Sequence, residues 1–271
     1  MSNKHTKITK ESLDAINISV PIDGNRILSE VVKRINGDNE IKALWKIINI
    51  NAIDRLGMSD HGPTHFQIVA NHGIKIARIL EKREVGMSIV DDFGLSRDHA
   101  EVVIFLACIM HDLGMSIHRE GHEEYSLFVS QGFLKEILSF LPVEERTVVA
   151  SEVLHAIISH RAYGTPSTVE AGIVRIADAL DMGNGRSRII YKKGEINIYS
   201  VSDKAIEKVG VTEGSDRAIT IKISMVNPAG IFQVDELMKE KIKGSGLEKH
   251  IEVAAYLIKD GKETPFKEFE F

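Results

Sequence analysis

The sequence predicts an α+β protein, with a mostly all-α core followed by a small C-terminal α+β domain. Apolar residues recur at helical spacing through most of the chain to about residue 180, as in segments 41–56 and 144–159. From Gly183 the composition changes to β-prone segments, which are 196–201, 218–225, 252–258 and 266–271. We therefore divide the chain into a polar N-terminal lead (1–23), a helical domain (24–190) and a C-terminal α+β domain (191–271), with the boundary near Tyr191.

The composition is typical of a soluble protein with a large core, since 43% of the 271 residues are hydrophobic and 27% are charged. The single cysteine, Cys108, excludes an intrachain disulfide framework, and the polar N-terminus has no signal-peptide core. Both features predict a cytoplasmic protein. No apolar run reaches the roughly 18 residues of a membrane span. The net charge of -5 disfavours nucleic acid as a partner.

Seven helices are predicted in the first two thirds of the chain. They cover about 27–35, 41–56, 63–84, 98–110, 123–141, 144–159 and 168–180. Asp38 is placed to cap the second, and Pro63 stands at the start of the third, where proline is well tolerated.

The helix predicted at 98–110 forms the centre of the predicted fold. Its last nine residues, 102–110, are all apolar, which indicates a segment buried on every side. The run then stops at His111 and Asp112. Burial of an imidazole and a carboxylate is costly without compensation, and a divalent cation bound by both groups would compensate it.

Further metal-binding residue types stand near the ends of other predicted helices. His65 precedes the doublet and Asp178 follows it, while His122 and His160 lie between the doublet and Asp178. The local strings are Thr64-His65, His111-Asp112-Leu113-Gly114, Ile158-Ser159-His160-Arg161 and Arg175-Ile176-Ala177-Asp178. In this order they resemble the HD-domain metal-dependent phosphohydrolase superfamily over about residues 60–190. Segment 170–188 further resembles an uncharacterised prokaryotic group with an added C-terminal α+β module.

The resemblance implies a metal site made by His65, His111, Asp112 and Asp178, with Asp112 as the bridge if two ions bind. Imidazole and carboxylate ligands together suit Mn²⁺, Fe²⁺, Zn²⁺, Ni²⁺ or Co²⁺ better than Mg²⁺, although Mg²⁺ remains an alternative. The number of ions, one or two, stays open at this point.

Three further residues are candidates for catalytic roles. His122 and His160 match the extra histidines of binuclear members, and His160 could instead contact phosphate or protonate a leaving group. The alternative is that His122, beside two glutamates, is a solvated surface residue. Asp181 could hold a ligand or a substrate hydroxyl.

Candidate phosphate-binding residues lie around this set. They are Arg161, Arg186, Arg188, His118 and Arg119, and the alternative for the arginines is a solvated domain junction. His118 is also a rival to His122 as a ligand. Many superfamily members have a lysine where this chain has Met115, so any phosphate contact made by that lysine is either absent here or supplied by Arg119 or another cation.

The resemblance implies a hydrolase that cleaves a phosphate ester of a nucleotide or a small phosphorylated metabolite by attack of a metal-bound hydroxide. The alternatives are a binuclear phosphodiesterase, a non-catalytic regulatory metal-binding module and a metal-dependent oxygenase. We expect the C-terminal domain to serve assembly, as in a homodimer, or substrate selection, and to contain no catalytic group. Its only histidine is His250.

Overall fold

The computed structural model describes residues 7–161, 163–183, 186 and 198–269. The helical part contains α1 (Lys10–Asp14), α2 (Arg26–Gly37), α3 (Asn39–Asn49), α4 (Pro63–Lys82), α5 (Ser88–Phe93), α6 (Arg97–Met110), α7 (His122–Ile137), α8 (Val143–Ser159) and α9 (Val169–Ala179). The boundary predicted near Tyr191 and the candidate residue Arg188 lie outside the described residues.

Local signals set several of these boundaries. The side chain of Asp38 accepts hydrogen bonds from the backbone N–H groups of Glu40, at 2.8 Å, and Ile41, at 3.1 Å, which confirms it as the cap of α3. A π-helical stretch, Ile50–Arg55, continues α3. Pro63 is the first residue of α4, as predicted.

Helix α6 is the centre of the helical part, and α2, α4, α8 and α9 pack around it. Every residue from His99 to Met110 is buried. The segment Arg97–Ser116 has the length and apolar composition of a membrane-spanning helix, and 94% of its most apolar window is buried inside the protein. Burial by the surrounding helices accounts for the unbroken apolar run.

The N-terminal lead packs on the helical part through an extended segment that includes Ile18 and Val20, both buried. The side-chain amide of Asn36 pairs with the backbone of Ile18 in both directions, each bond at 2.8 Å. The Asn36 amide therefore makes the two hydrogen bonds, to the N–H and the carbonyl group of Ile18, that a neighbouring strand would otherwise make. Segment 16–20 is β-prone in sequence, yet it lies outside the helices and the strands of the described chain.

The C-terminal part is a four-stranded sheet with helices on its connections. After α10 (Ile198–Asp203), the strands are β1 (Ile206–Glu213), β2 (Ile219–Met225), β3 (Ile251–Lys259) and β4 (Lys262–Phe269) in the spatial order 1-2-3-4. Together with the helical core, this sheet confirms the α+β class. Strands β1–β2 and β3–β4 are antiparallel, whereas β2 and β3 are parallel, with Ile221 opposite Val253.

A parallel pair needs a long crossover connection, and here the crossover contains α11 (Ile231–Gln233), a π-helical turn (Val234–Met238) and α12 (Lys239–Ile242). Helix α12 packs against α9, so the crossover returns the chain to the helical part.

Two predictions for this part were wrong or incomplete. Segment 196–201 was predicted as β-prone, yet its described residues begin the helix α10. Tertiary contacts override the local preference, since buried Ser202 accepts a hydrogen bond from Gln233 of the crossover at 2.9 Å. Strand β1 was not predicted, because charged residues and Gly210 interrupt its alternation.

Candidate metal centre

The doublet His111 and Asp112 stands directly after the last residue of the buried helix α6. Nδ1 of His111 donates to the carbonyl oxygen of Cys108 at 2.9 Å, and a carbonyl can only accept. Nδ1 therefore carries the hydrogen. In the neutral ring Nε2 then has a lone pair, and it faces His65.

His65 lies in the first turn of α4 and is fully buried. Its Nδ1 donates to Oδ2 of Asp181 at 2.8 Å, and its Nε2 lies 3.1 Å from Nε2 of His111. Two neutral rings held in this way would turn lone pairs toward each other, which is unfavourable without a proton or a cation between them. The donor set therefore fits a bound metal ion on the evidence of its own hydrogen bonds.

The carboxylates of Asp112 and Asp178 complete the first donor set. Oδ2 of Asp112 lies 3.8 Å from Nε2 of His65 and 3.6 Å from Nε2 of His111. Oδ1 of Asp178, on α9, lies 3.5 Å and 3.6 Å from the same two nitrogens. The structure thus brings together the four residues that the sequence predicts as ligands.

His122 and His160 form a second donor set at the other oxygen of Asp112. Nε2 of His122 lies 3.0 Å from Oδ1 of Asp112, and Nε2 of His160 lies 4.0 Å from it. Both rings are buried, so His122 is not a solvated surface residue. The six side chains fall into three overlapping groups, and within each group the donor atoms lie within 4.8 Å of one another. Asp112 stands between the two sets.

The electrostatics of the cluster favour positive charge. Burial alone would lower the pKa of His111, but Asp112 and Asp178 outweigh burial and raise it. Hydrogen bonds that His122 donates to Asp112 and Glu123 likewise overcome burial and raise the pKa of His122 to about 9. The carboxylates thus favour positive charge at His111 and His122, which is the charge that a bound cation would supply, whereas burial lowers the pKa of His160 to about 3.

Asp181 lies behind His65. Its Oδ2 accepts the hydrogen bond from His65, and its Oδ1 accepts one from Nε of Arg186 at 2.7 Å. A carboxylate in this position fixes the tautomer and orientation of a metal-binding imidazole. Arg186 also lies 3.4 Å from Oδ1 of Asp60, so its guanidinium is shared between two carboxylates.

The other candidate phosphate-binding residues differ in position. Arg119 is half-buried, and its Nη1 lies 2.7 Å from Nδ1 of His122. His118 is exposed and bonds to the backbone of Glu120, outside the described donor groups. Arg161 is exposed, and its Nη1 donates to Glu124 at 2.9 Å.

Sequence reasoning missed Lys241 of α12, a charged residue of the centre. Its ammonium group donates to Oδ2 of Asp178 at 3.1 Å and to the carbonyl oxygen of His160, and its side chain is only 7% exposed. The run Lys239-Glu240-Lys241 is typical of a solvated helix. The C-terminal part of the chain therefore reaches the centre through this lysine, and the expectation that it contains no catalytic group stays a prediction.

Helix α7 approaches the doublet at Gly114, and we expect Gly114→Ala to displace it. Ser126 of α7 accepts from Gly114 N at 2.8 Å and donates to the carbonyl oxygen of His111 at 2.6 Å. A methyl group on Gly114 would lie 2.5 Å from the backbone nitrogen of Ser126, which is overpacking. The free energy of unfolding should fall by about 1–3 kcal/mol, and metal bound through His122 should be lost.

Denaturant unfolding and elemental analysis measure these two effects. The matched control is Gly132→Ala in the same helix, where nothing lies within 4 Å of the added methyl. There we expect a stability gain of up to about 1 kcal/mol, since alanine favours a helix over glycine. Equal effects at the two glycines would contradict the close approach at Gly114.

Comparisons with known proteins agree with this geometry. A family model described as HD domain matches residues 62–183, which include all six donor side chains. The chain is 39% identical over 235 residues to the uncharacterized protein MJ1020 of Methanocaldococcus jannaschii, and the match covers 86% of this chain and 89% of that relative. The chain therefore belongs to the HD-domain family, within the metal-dependent phosphohydrolase superfamily.

Proposed function

We propose that the protein is a phosphohydrolase that cleaves a phosphate ester of a nucleotide or a small phosphorylated metabolite with the help of a divalent cation. The observation that carries the proposal is the convergence of six imidazole and carboxylate side chains from separate helices, with Asp112 at their centre. Such a cluster is costly to bury and has little structural use without a cation.

The residues that would hold a first cation are His65, His111, Asp112 and Asp178. The mixture of nitrogen and oxygen donors suits Mn²⁺, Fe²⁺, Co²⁺, Ni²⁺ or Zn²⁺ better than Mg²⁺. The chemistry that such a cation supplies is polarisation of a phosphoryl oxygen and activation of water as the nucleophile.

The chain itself orients these groups before substrate arrives. Asp181 and the carbonyl of Cys108 hold the hydrogens of His65 and His111 away from the centre. This arrangement keeps the two Nε2 atoms available as ligands and avoids reorganisation during the reaction. Arg186 pairs with Asp181 and holds that carboxylate opposite His65.

Arg119 is the residue best placed to contact the phosphoryl group of a substrate. Its Nε is buried, and within the described part of the chain no hydrogen-bond acceptor reaches it. A buried donor without a partner costs about 1–3 kcal/mol, which an anionic oxygen next to His122 would recover. Arg119 would then supply a phosphate contact in place of the lysine that many superfamily members have where this chain has Met115.

A second candidate, a binuclear phosphodiesterase, is favoured by one observation. The two oxygens of Asp112 face different donor sets, His65 with His111 on one side and His122 with His160 on the other. With one oxygen facing each set, Asp112 could contribute to the binding of two cations, and a two-metal site can stabilise both the attacking and the leaving oxygen of a phosphodiester. The proposal for His122 and His160 is then ligation and not proton transfer.

The test compares a monoester with a diester. Full-length protein stripped of metal is supplied in turn with Mn²⁺, Co²⁺, Ni²⁺, Zn²⁺ and Mg²⁺ and assayed on p-nitrophenyl phosphate and bis(p-nitrophenyl) phosphate. We expect monoester hydrolysis that needs one of the first four ions and stops when a chelator is added. Faster cleavage of the diester would favour the second candidate, and no cleavage of either ester with any ion would refute both.

A further inference from the structure

The C-terminal domain contributes a fixed positive charge to the metal centre. Lys241 Nζ donates to Oδ2 of Asp178, while Oδ1 of the same carboxylate faces His65 and His111. The same ammonium group donates to the backbone carbonyl of His160. The Lys241 side chain therefore links Asp178, a member of the first donor set, to His160, a member of the second.

The position of Lys241 is built into the fold. Arg175 lies one turn before Asp178 on α9, and its guanidinium donates to the carbonyl oxygens of Lys241, at 3.0 Å, and Glu240, at 3.1 Å. Arg175 thus holds the backbone of α12 while Asp178 holds its side chain. Gly172, one turn earlier, allows the segment after α12 to lie against α9, because a methyl group there would overlap the carbonyl oxygen of Ser245.

Burial of an ammonium group is unfavourable unless the group is paired and hydrogen-bonded, so partners must offset its desolvation at this site. Asp178 and the carbonyl oxygen of His160 are those partners, since both accept hydrogen bonds from Lys241. For Asp178 the consequence is twofold. One of its oxygens is occupied, so it can offer a cation only the other, and its negative charge is already balanced by a neighbour that repels cations.

We infer that Lys241 is a positioning residue of the metal centre, which restricts Asp178 to one coordinating oxygen and lowers the affinity of the centre for divalent cations. The inference rests on the metal centre of the proposed function but not on the hydrolysis. It predicts that removal of the Lys241 charge strengthens metal binding. A purely structural role predicts the opposite change in affinity, because loss of a structural support weakens metal binding.

The test measures Mn²⁺ affinity in full-length protein by competition with a fluorescent chelator. Lys241→Gln removes the charge but keeps a hydrogen-bond donor, Lys241→Arg keeps the charge, and Lys239→Gln is the matched control on the exposed side of α12. We expect the dissociation constant to fall at least tenfold in Lys241→Gln, which corresponds to about 1.4 kcal/mol. It should stay within about threefold of wild type in the other two variants.

Circular dichroism verifies that each metal-free variant is folded at the titration temperature. If Lys241→Gln is unfolded without metal, Lys241→Met is used as the neutral variant in its place, because methionine fills a similar volume. Unchanged or weaker Mn²⁺ binding in the neutral variant would overturn the inference and leave the metal centre intact. Wild-type protein that binds no Mn²⁺, Co²⁺ or Zn²⁺ would instead overturn the proposed function, so the two failures are distinguishable.

Discussion

An Asp112→Asn variant is expected to lose more than about 99% of the metal-dependent hydrolysis. Loss of a residue that only orients a ligand typically costs about 10- to 100-fold in activity, and Asp112 faces both donor sets itself. The amide keeps the shape of the side chain but has no negative charge and only one oxygen. Initial rates on p-nitrophenyl phosphate at saturating Mn²⁺ measure the effect.

Two variants calibrate that result. Asp181→Asn changes the carboxylate behind His65, and we expect a smaller loss of about 10- to 100-fold. Asp54→Asn, at an exposed position of the π-helical stretch after α3, should leave the rate unchanged. Activity in metal-free Asp112→Asn equal to that of the wild type would remove Asp112 from the mechanism.

Removal of divalent metal is expected to lower the melting temperature by about 5 °C or more. A ligand present at 100 times its dissociation constant stabilises the folded state by about 2.7 kcal/mol, and each kcal/mol moves the midpoint by about 2–4 °C in a domain of roughly 150–250 residues. Differential scanning calorimetry with and without chelator measures the shift.

Restoration by added Mn²⁺ or Co²⁺, but not by Ca²⁺, would link the shift to the mixed nitrogen and oxygen donors, since Ca²⁺ prefers oxygen ligands. Asp112→Asn serves as the second control and should show a much smaller shift. Identical melting curves with and without chelator, for protein shown by elemental analysis to carry metal, would contradict a stabilising centre.

Much of the first donor set could be predicted from sequence because two polar, ionisable residues directly follow a helix that must be buried. An unbroken apolar run that ends at His111 and Asp112 requires compensation, and this requirement is visible without coordinates. The order of His65, the doublet and Asp178 then carries the family resemblance. The helix boundaries followed from the same physics, since caps such as Asp38 and Pro63 act locally.

The roles of Asp181, Arg186 and Lys241 could not be predicted in this way. Each depends on which neighbour a charged side chain meets across a distance of many residues, and a lysine in a polar helix has the same local sequence whether it is buried or solvated. Arg186 was expected to bind phosphate, whereas its guanidinium lies between Asp181 and Asp60. Local patterns do not encode such pairings.

The crossover between β2 and β3 has a consequence for the order in which the centre is assembled during translation. Asp178 precedes Lys241 by 63 residues. At 5–20 residues per second the ribosome needs roughly 3–13 s to add that stretch. Until then the nascent chain has all six donor side chains but not the ammonium group of Lys241, so a metal ion would meet a centre without that competing charge until the last part of the chain closes over Asp178.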